Sequence, residues 1–230
     1  MISVVIPARN AASGLADCLA CLRVARESGL IEEVVIVDGG STDATSVIAQ
    51  THGAVLLRSA PGRGRQMHAG ALRARGMWLL FLHGDVMLEE GWEAEARDFL
   101  ARYGDAAEMA AVFRFALRDD SRQARRLERL VAWRCRRLGL AYGDQGLLLA
   151  RSFYHALGGF APLELMEDVE MMRRIGRRRL MVLRSRARSD ARRYRRDGFV
   201  ARGMRNGILV LLYFLGVPAH RLARFYEGRR

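Results

Sequence analysis

Lysine is absent from these 230 residues, so all 38 basic side chains are arginine. A skew that complete reads as genome composition rather than as a functional choice. It nevertheless leaves a formal net charge of +13, and such a surface attracts phosphates, nucleic acid and anionic lipid headgroups. Proline is scarce, with four in the chain, and half of the residues are hydrophobic, which excludes a disordered polymer. Three cysteines, Cys18, Cys21 and Cys135, are too few for the disulfide framework of a secreted domain. Cys18-Leu19-Ala20-Cys21 has metal-type spacing, but it lies in an apolar helical pattern with no second ligand pair, so buried thiols are expected. No apolar run approaches the roughly 20 residues that span a bilayer; the strongest, Ile208 to Val217, falls far short. The first strand begins at Ile2, which leaves no room before it for a signal peptide, and a cytoplasmic location is expected.

What the chain does have is a rhythm of short apolar runs and helical patterns. Ser3-Val4-Val5-Ile6-Pro7, Glu33 to Val37, Ala54 to Arg58 and Trp78 to Leu82 read as buried strands. Helices are predicted between them, at 14–28 with Ser13 as cap and Gly29 as stop, at 43–52 and at 66–75. Strands alternating with helices through short loops predict an α/β fold, a Rossmann-like and mostly parallel sheet flanked by helices. Beyond Asp85 the rhythm changes. Helices are expected at 92–103, 121–138, 153–157 and 167–176, and strands at 110–117, 147–149 and 180–183. Two tail helices, broken near Gly216-Val217-Pro218, close the chain. The expectation is a single domain with a nucleotide-binding half (1–85), a catalytic half (86–198) and a helical tail (199–230).

Five polar segments fall where strands stop, the place where open α/β sheets bind ligands. In Asp38-Gly39-Gly40-Ser41-Thr42-Asp43, a carboxylate can accept from base or ribose donors while glycine lets the backbone approach. The same residues also suit a turn followed by a helix cap, and Asp43 suits the helix dipole. In Gly62-Arg63-Gly64-Arg65-Gln66, Arg63 and Arg65 offer donors to phosphates before a helix N-terminus. Arg9, after the first strand, and Gly84 are further candidates on the nucleotide side. His83-Gly84-Asp85 ends the most apolar strand; His83 and Asp85 form a donor pair suited to Mn2+ or Mg2+. A divalent ion there would neutralise a departing diphosphate. Glu167-Asp168 puts two carboxylates at a helix start, where one can act as general base.

With those residues in place, the chain resembles the inverting glycosyltransferases of family 2, which have the GT-A fold. The resemblance runs from Ser3 to about Leu183. It is carried by Val4-Val5-Ile6-Pro7, Asp38 to Asp43, Asp85 and Glu167-Asp168. Arg63 to Gln66, Gly143-Asp144-Gln145-Gly146 and Met166 to Glu170 resemble segments of a bacterial subgroup encoded beside radical-SAM and selenodomain proteins. The resemblance implies that Pro7, Asp38 and Arg65 line the nucleotide and that Asp85 ligates the cation. It implies Asp168 as base, ahead of Glu167, and Gly143, Asp144 and Gln145 toward the acceptor. Sugar would then pass from a nucleoside-diphosphate donor to an acceptor hydroxyl by single displacement with inversion. The chain departs from the family pattern at three places. His83 replaces the first aspartate of D-x-D, Ala11-Ala12 follows Asn10 where N-E-A is usual, and His68 replaces an asparagine.

Two rivals remain at this level. A sugar nucleotidyltransferase would start from a longer glycine-rich loop with lysine, which Pro7-Ala8-Arg9-Asn10 lacks. A nucleic-acid-binding protein would interleave aromatics with its basic runs, and Arg122-Arg126, Arg134-Arg137 and Arg177-Arg179 show little of that, so no specific nucleic acid is expected. Ile208, Leu209, Leu211, Leu212, Phe214 and Leu215 form an apolar tail stripe flanked by Arg202, Arg205, Arg221 and Arg224. It suits either packing on the sheet or on a second subunit, which is preferred, or peripheral contact with a membrane bearing a lipid-linked acceptor.

Overall fold

A computed structural model describes residues 1–227, so the end of the expected 199–230 tail lies outside the described residues. The strands are β1 (Ile2–Ala8), β2 (Ile31–Asp38), β3 (Val55–Arg58), β4 (Trp78–Phe81), β5 (Val86–Leu88), β6 (Ala110–Leu117), β7 (Leu147–Ala150) and β8 (Leu180–Ser189). Helices α1 (Ala12–Ala20), α2 (Arg23–Glu27), α3 (Thr45–Thr51), α4 (Arg63–Arg73) and α5 (Trp92–Tyr103) belong to the first half. Helices α6 (Arg122–Leu138), α7 (Arg151–Ala156), α8 (Glu167–Ile175), α9 (Arg192–Asp197), α10 (Phe199–Phe214) and α11 (Ala219–Glu227) belong to the second.

The eight strands form one sheet in the order β3-β2-β1-β4-β7-β6-β8-β5. β1 is buried at every position because helices cover both faces, which is why its sequence is a continuous apolar run rather than an alternation. Val4 pairs in register with Val34 on one side and Leu80 on the other. The expected α/β class with a mostly parallel sheet holds. The β1–β2, β2–β3, β1–β4 and β6–β8 pairs are parallel, while β7 runs antiparallel to β4 and β6 and β5 antiparallel to β8. Chain order reverses across β1 and β4, so a crevice opens between their carboxyl ends. Trp78, Leu79 and Leu80 of β4 are buried in the core, and each such side chain contributes about 1.5–3 kcal/mol of transfer energy.

Several boundaries differ from expectation. The helix predicted at 14–28 begins at Ala12 and is broken into α1 and α2 around Cys21-Leu22. Ser13 does not cap it; the cap comes from the next loop. Ala11 N–H donates to Thr45 Oγ1 at 2.9 Å and Ala12 N–H to Asp43 Oδ2 at 3.0 Å. Asn10 N–H donates to Ser41 Oγ, and Asn10 Oδ1 accepts from Thr42 N–H, both at 2.9 Å. Side chains of Ser41, Thr42, Asp43 and Thr45 thus tie the loop after β2 to the loop after β1. α3 starts at Thr45 rather than Asp43, and α4 at Arg63 rather than Gln66, so both loop arginines sit in a helical first turn. β5 and α9 were not expected, and β8 continues six residues past the predicted end at Leu183. Cys18 and Cys135 are buried thiols and Cys21 is half-buried; all three are free, as the sequence suggested.

Candidate active site

The crevice between β1 and β4 opens into two joined hollows. The first, of about 1130 Å3 with its mouth, is lined by Pro7, Arg9, Gln66, Gly84, Glu164 and the backbone around Gly62. The second, of about 920 Å3 with its mouth, is walled by Tyr142, Gly143, Asp144, Glu167, Asp168, Tyr194 and the inner face of α10. Arg63, His83, Asp85, Leu165, Arg193 and Tyr226 line both, so they stand at the junction.

The sheet and its flanking turns hold each group. β4 ends at Phe81, and the chain then turns through His83-Gly84-Asp85 into β5, which presents both side chains at the mouth of the crevice. Arg63 opens α4, and Gly64 behind it allows the first turn to press against the segment after α7. A Cβ on Gly64 would lie 2.1 Å from the Ala161 carbonyl oxygen. Met166, at φ 69, turns the backbone into α8 so that Glu167 and Asp168 start the helix. Asp168 is held at both oxygens: Oδ2 accepts from Gly143 N–H at 2.8 Å and Oδ1 from Val169 N–H at 2.7 Å.

Opposed charges at the junction shift one another. Burial opposes the Arg63 charge, but Glu167, Tyr226, Asp168 and Asp85 outweigh it and raise the guanidinium above its ordinary value. Burial, and then the neighbouring Asp168, push Glu167 up to about 7, against the pull of Arg63. Burial raises Asp144 to about 6, with Arg134 opposing and Asp168 and Asp85 reinforcing the shift. Burial and Arg63 lower His83 to about 4 despite Asp85 and Asp168. The imidazole is therefore neutral at physiological pH, the form that ligates metals.

Three polar atoms in these walls are buried without a protein partner: His83 Nε2, Asp144 Oδ1 and Ser189 Oγ. Buried polar groups are normally satisfied, so three orphans on one cavity mark where a ligand or ion belongs. For a divalent cation, the donor chemistry of His83 and Asp85 fits manganese or magnesium. Among the described residues no group of three or more His, Cys, Asp or Glu side chains could hold a metal ion. The chain would then supply two ligands, leaving the other positions to diphosphate and water oxygens.

The geometry brings together Pro7, Arg9, Arg63, His83, Gly84, Asp85, Asp144, Glu167 and Asp168. It leaves three expected nucleotide residues outside both hollows. Asp38 is buried, and its Oδ1 accepts from both the N–H and the hydroxyl of Ser41, bracing its own turn. Gly39 packs on the Gln66 amide, whose Nε2 donates to the Ala8 and Val37 carbonyls at 2.8 and 2.7 Å and staples β1 to β2. Arg65 is exposed on the outer side of α4; Arg63 takes the inner place. Gln145, expected toward the acceptor, is 1% exposed and donates to the Phe113 carbonyl, so it anchors the Gly143 turn to β6. His68 meets the Tyr154 hydroxyl at 3.1 Å, away from the hollows.

Several residues of the site were not foreseen. Tyr142, with the Arg134 guanidinium 3.4 Å from its ring centroid, forms a wall, and its place beside Gly143 was a readable hint. Ser189, Asp190, Arg193 and Tyr194 come from the unforeseen end of β8, the turn after it and α9. Their signal lay in Arg184, Arg186 and Arg188, exposed every second residue while Ala187 and Ser189 turn inward.

An α/β sheet carrying its acidic groups at this switch point is the architecture of GT-A glycosyltransferases. Solved structures similar to it include glucosyl-3-phosphoglycerate synthase from Mycobacterium tuberculosis in complex with Mn2+ and uridine-diphosphate-glucose. That match has 20% identity and a TM-score of 0.62, and covers 95% of this chain and 80% of that one. S. aureus TarS 1–349 in complex with UDP-GlcNAc matches at 17% identity and TM-score 0.61, over 82% of this chain and 58% of that one. At such identities the likeness is one of fold. The chain belongs to glycosyl transferase family 2, whose model matches residues 3–164. A PGL/p-HBAD biosynthesis glycosyltransferase of Mycobacterium bovis is 36% identical over 104 residues, which is 39% of this chain and 37% of that relative. The match therefore spans little more than a third of the curated relative's length.

Proposed function

We propose that this protein transfers a sugar from a nucleoside-diphosphate donor to an acceptor hydroxyl, with inversion at the anomeric carbon. The observation that carries the reading is that Asp85 and Arg63, at the junction of the two hollows, meet Asp168 in the wall of the second. Nucleotide and diphosphate belong in the first hollow, beside Pro7, Arg9 and Gly84, with Arg63 on the diphosphate oxygens. The acceptor enters the second. Asp168, oriented by the Gly143 and Val169 N–H groups, takes the hydroxyl proton as the oxygen attacks the anomeric carbon and the diphosphate leaves. Glu167, 2% exposed where Asp168 is half-buried, is the less accessible carboxylate and the second choice as base. His83 and Asp85 would hold a divalent ion, which would supply charge neutralisation to the leaving group.

The Mn2+ and UDP-sugar complexes of the similar structures support a metal-assisted donor site. The R-G-R-Q, G-D-Q-G and M-E-D-V-E segments support placement in the radical-SAM-associated subgroup. A thermal-shift screen of UDP, GDP, dTDP and CDP sugars with and without manganese tests the donor half. A ligand at about 100 times its dissociation constant adds roughly 2.7 kcal/mol of stability. Melting that no nucleotide shifts, with metal present, would sink it. Asp168→Asn keeps an acceptor for Gly143 N–H and should abolish transfer while donor binding persists; retained turnover would remove Asp168 from the base role.

A further inference from the structure

We infer that the outer face of α10, with the arginines around it, docks this protein peripherally onto an anionic lipid bilayer. Val200, Met204, Ile208, Leu211 and Leu215 recur every three or four residues, which puts them on one narrow arc of the helix. Each is 53–72% exposed. The fold does not use this arc. α10 packs inward through its opposite side, where Leu209 meets Met166, Val169 and Leu222. The inner side also gives Arg202, Asn206 and Val210 to the wall of the second hollow. The tail stripe expected from sequence therefore divides: Leu209 and Leu212 pack inward, while Ile208, Leu211 and Leu215 face out.

Neighbouring helices expose further apolar side chains. α6 lies beside α10, where a Cβ on Gly203 would touch Leu127, and it exposes Leu130 and Trp133. α11 exposes Phe225. A monomer seldom leaves large apolar side chains so grouped unless the face is used.

Charge selects the occupant. Residues 198–226 contain no acidic side chain. Arg126, Arg129, Arg136 and Arg137 are exposed on α6, and Arg221 and Arg224 on α11. A second copy of this chain would bring arginine against arginine across a shared apolar face. An anionic bilayer instead accepts the apolar arc into its interface and pairs the arginines with its phosphates. No helix among the described residues is long and apolar enough to cross a membrane, so the contact is one of lying on the surface. Docking there would bring the second hollow, on the other side of α10, within about one helix diameter of the lipid, roughly 10 Å.

Co-sedimentation of the full chain with vesicles tests this without reference to any catalytic step. Partition onto phosphatidylcholine vesicles containing phosphatidylglycerol is expected, weakening as salt rises, with little onto phosphatidylcholine alone. Paired replacement Ile208→Gln and Leu211→Gln should lower partition by about tenfold while melting is unchanged. A second pair, Val200→Gln with Leu215→Gln, should act in the same direction from the ends of the arc. The inference is overturned if the unaltered chain ignores anionic vesicles, or if both pairs bind as well as it does, which would leave charge alone. It is equally overturned if sedimentation velocity reveals a dimer that these same substitutions dissociate.

Discussion

The backbone N–H of Gly143 donates to Asp168 Oδ2 at 2.8 Å, so the turn after Tyr142 sets where the proposed base points. The same glycine faces His83, and a Cβ on it would lie 2.5 Å from His83 Nε2. Any side chain at this position must displace either the imidazole or the turn. Gly143→Ala is therefore expected to lower kcat by about tenfold or more through misplacement of Asp168. The donor KM reports which group yields: it stays put where the turn moves, since the first hollow does not include the turn, and rises where His83, which lines that hollow, is displaced. Initial-rate measurements separate the two constants, and an unchanged kcat would mean that the turn does not position the base.

Glu167 gives a pH dependence with a definite sign. Burial first, then Asp168, raise its folded-state value from the ordinary 4.5 to about 7. Between those values the folded chain holds a proton that the unfolded chain has released, so stability falls as pH rises through that window and is level above it. Glu167 is 2% exposed, and the loss is on the order of 3 kcal/mol at most. Denaturant melts of the unaltered chain and of Glu167→Gln, taken from about pH 5 to pH 8, should diverge across this range. Parallel curves would mean that Glu167 is ionised throughout.

How far the sequence could be read follows from where each signal resides. β1, β2 and β4 were legible because strands covered on both faces must be apolar throughout, and no side-chain detail was needed. His83-Gly84-Asp85 could be placed from its strand, since it follows β4, whereas Gly143 and Glu167 come after helices α6 and α7 and were singled out by composition and by the family resemblance. Asp38 reads two ways for a local reason: an Asp three residues before a Ser can satisfy its own turn, and Oδ1 of Asp38 is taken up by Ser41. The choice between Arg63 and Arg65 turned on the start of α4, since neighbouring positions on a helix face different ways. Arg193, Tyr194 and Arg202 were unreadable as site residues because long-range packing of α9 and α10 brings them there.

Arg63 and Arg65 offer a contrast from one helical turn. Arg63 lies among Glu167, Asp168 and Asp85, whereas Arg65 is exposed. Arg63→Ala should weaken nucleotide binding by about 10- to 100-fold, the loss of one charge-assisted contact. Arg65→Ala should change it little. Calorimetric titration with the preferred nucleotide decides the matter, and equal losses at both positions would place the diphosphate outside the crevice.

His83 stands where the family pattern has aspartate, and its Nε2 is buried with no protein partner. Its replacement breaks no hydrogen bond at that atom, so a ligand role can be distinguished from a structural one. His83→Ala should cost the apo protein only the packing of one ring. If Nε2 is a ligand, manganese affinity should fall about 10-fold or more. Asp85→Asn should do the same, and chelation of the metal should erase most of the nucleotide-induced stabilisation in the unaltered chain. Manganese titrations followed by melting in the presence of nucleotide give all three comparisons. If both substitutions leave manganese affinity unchanged, the ion is held elsewhere or not at all, and Arg63 is left as the main counter-charge to the departing diphosphate.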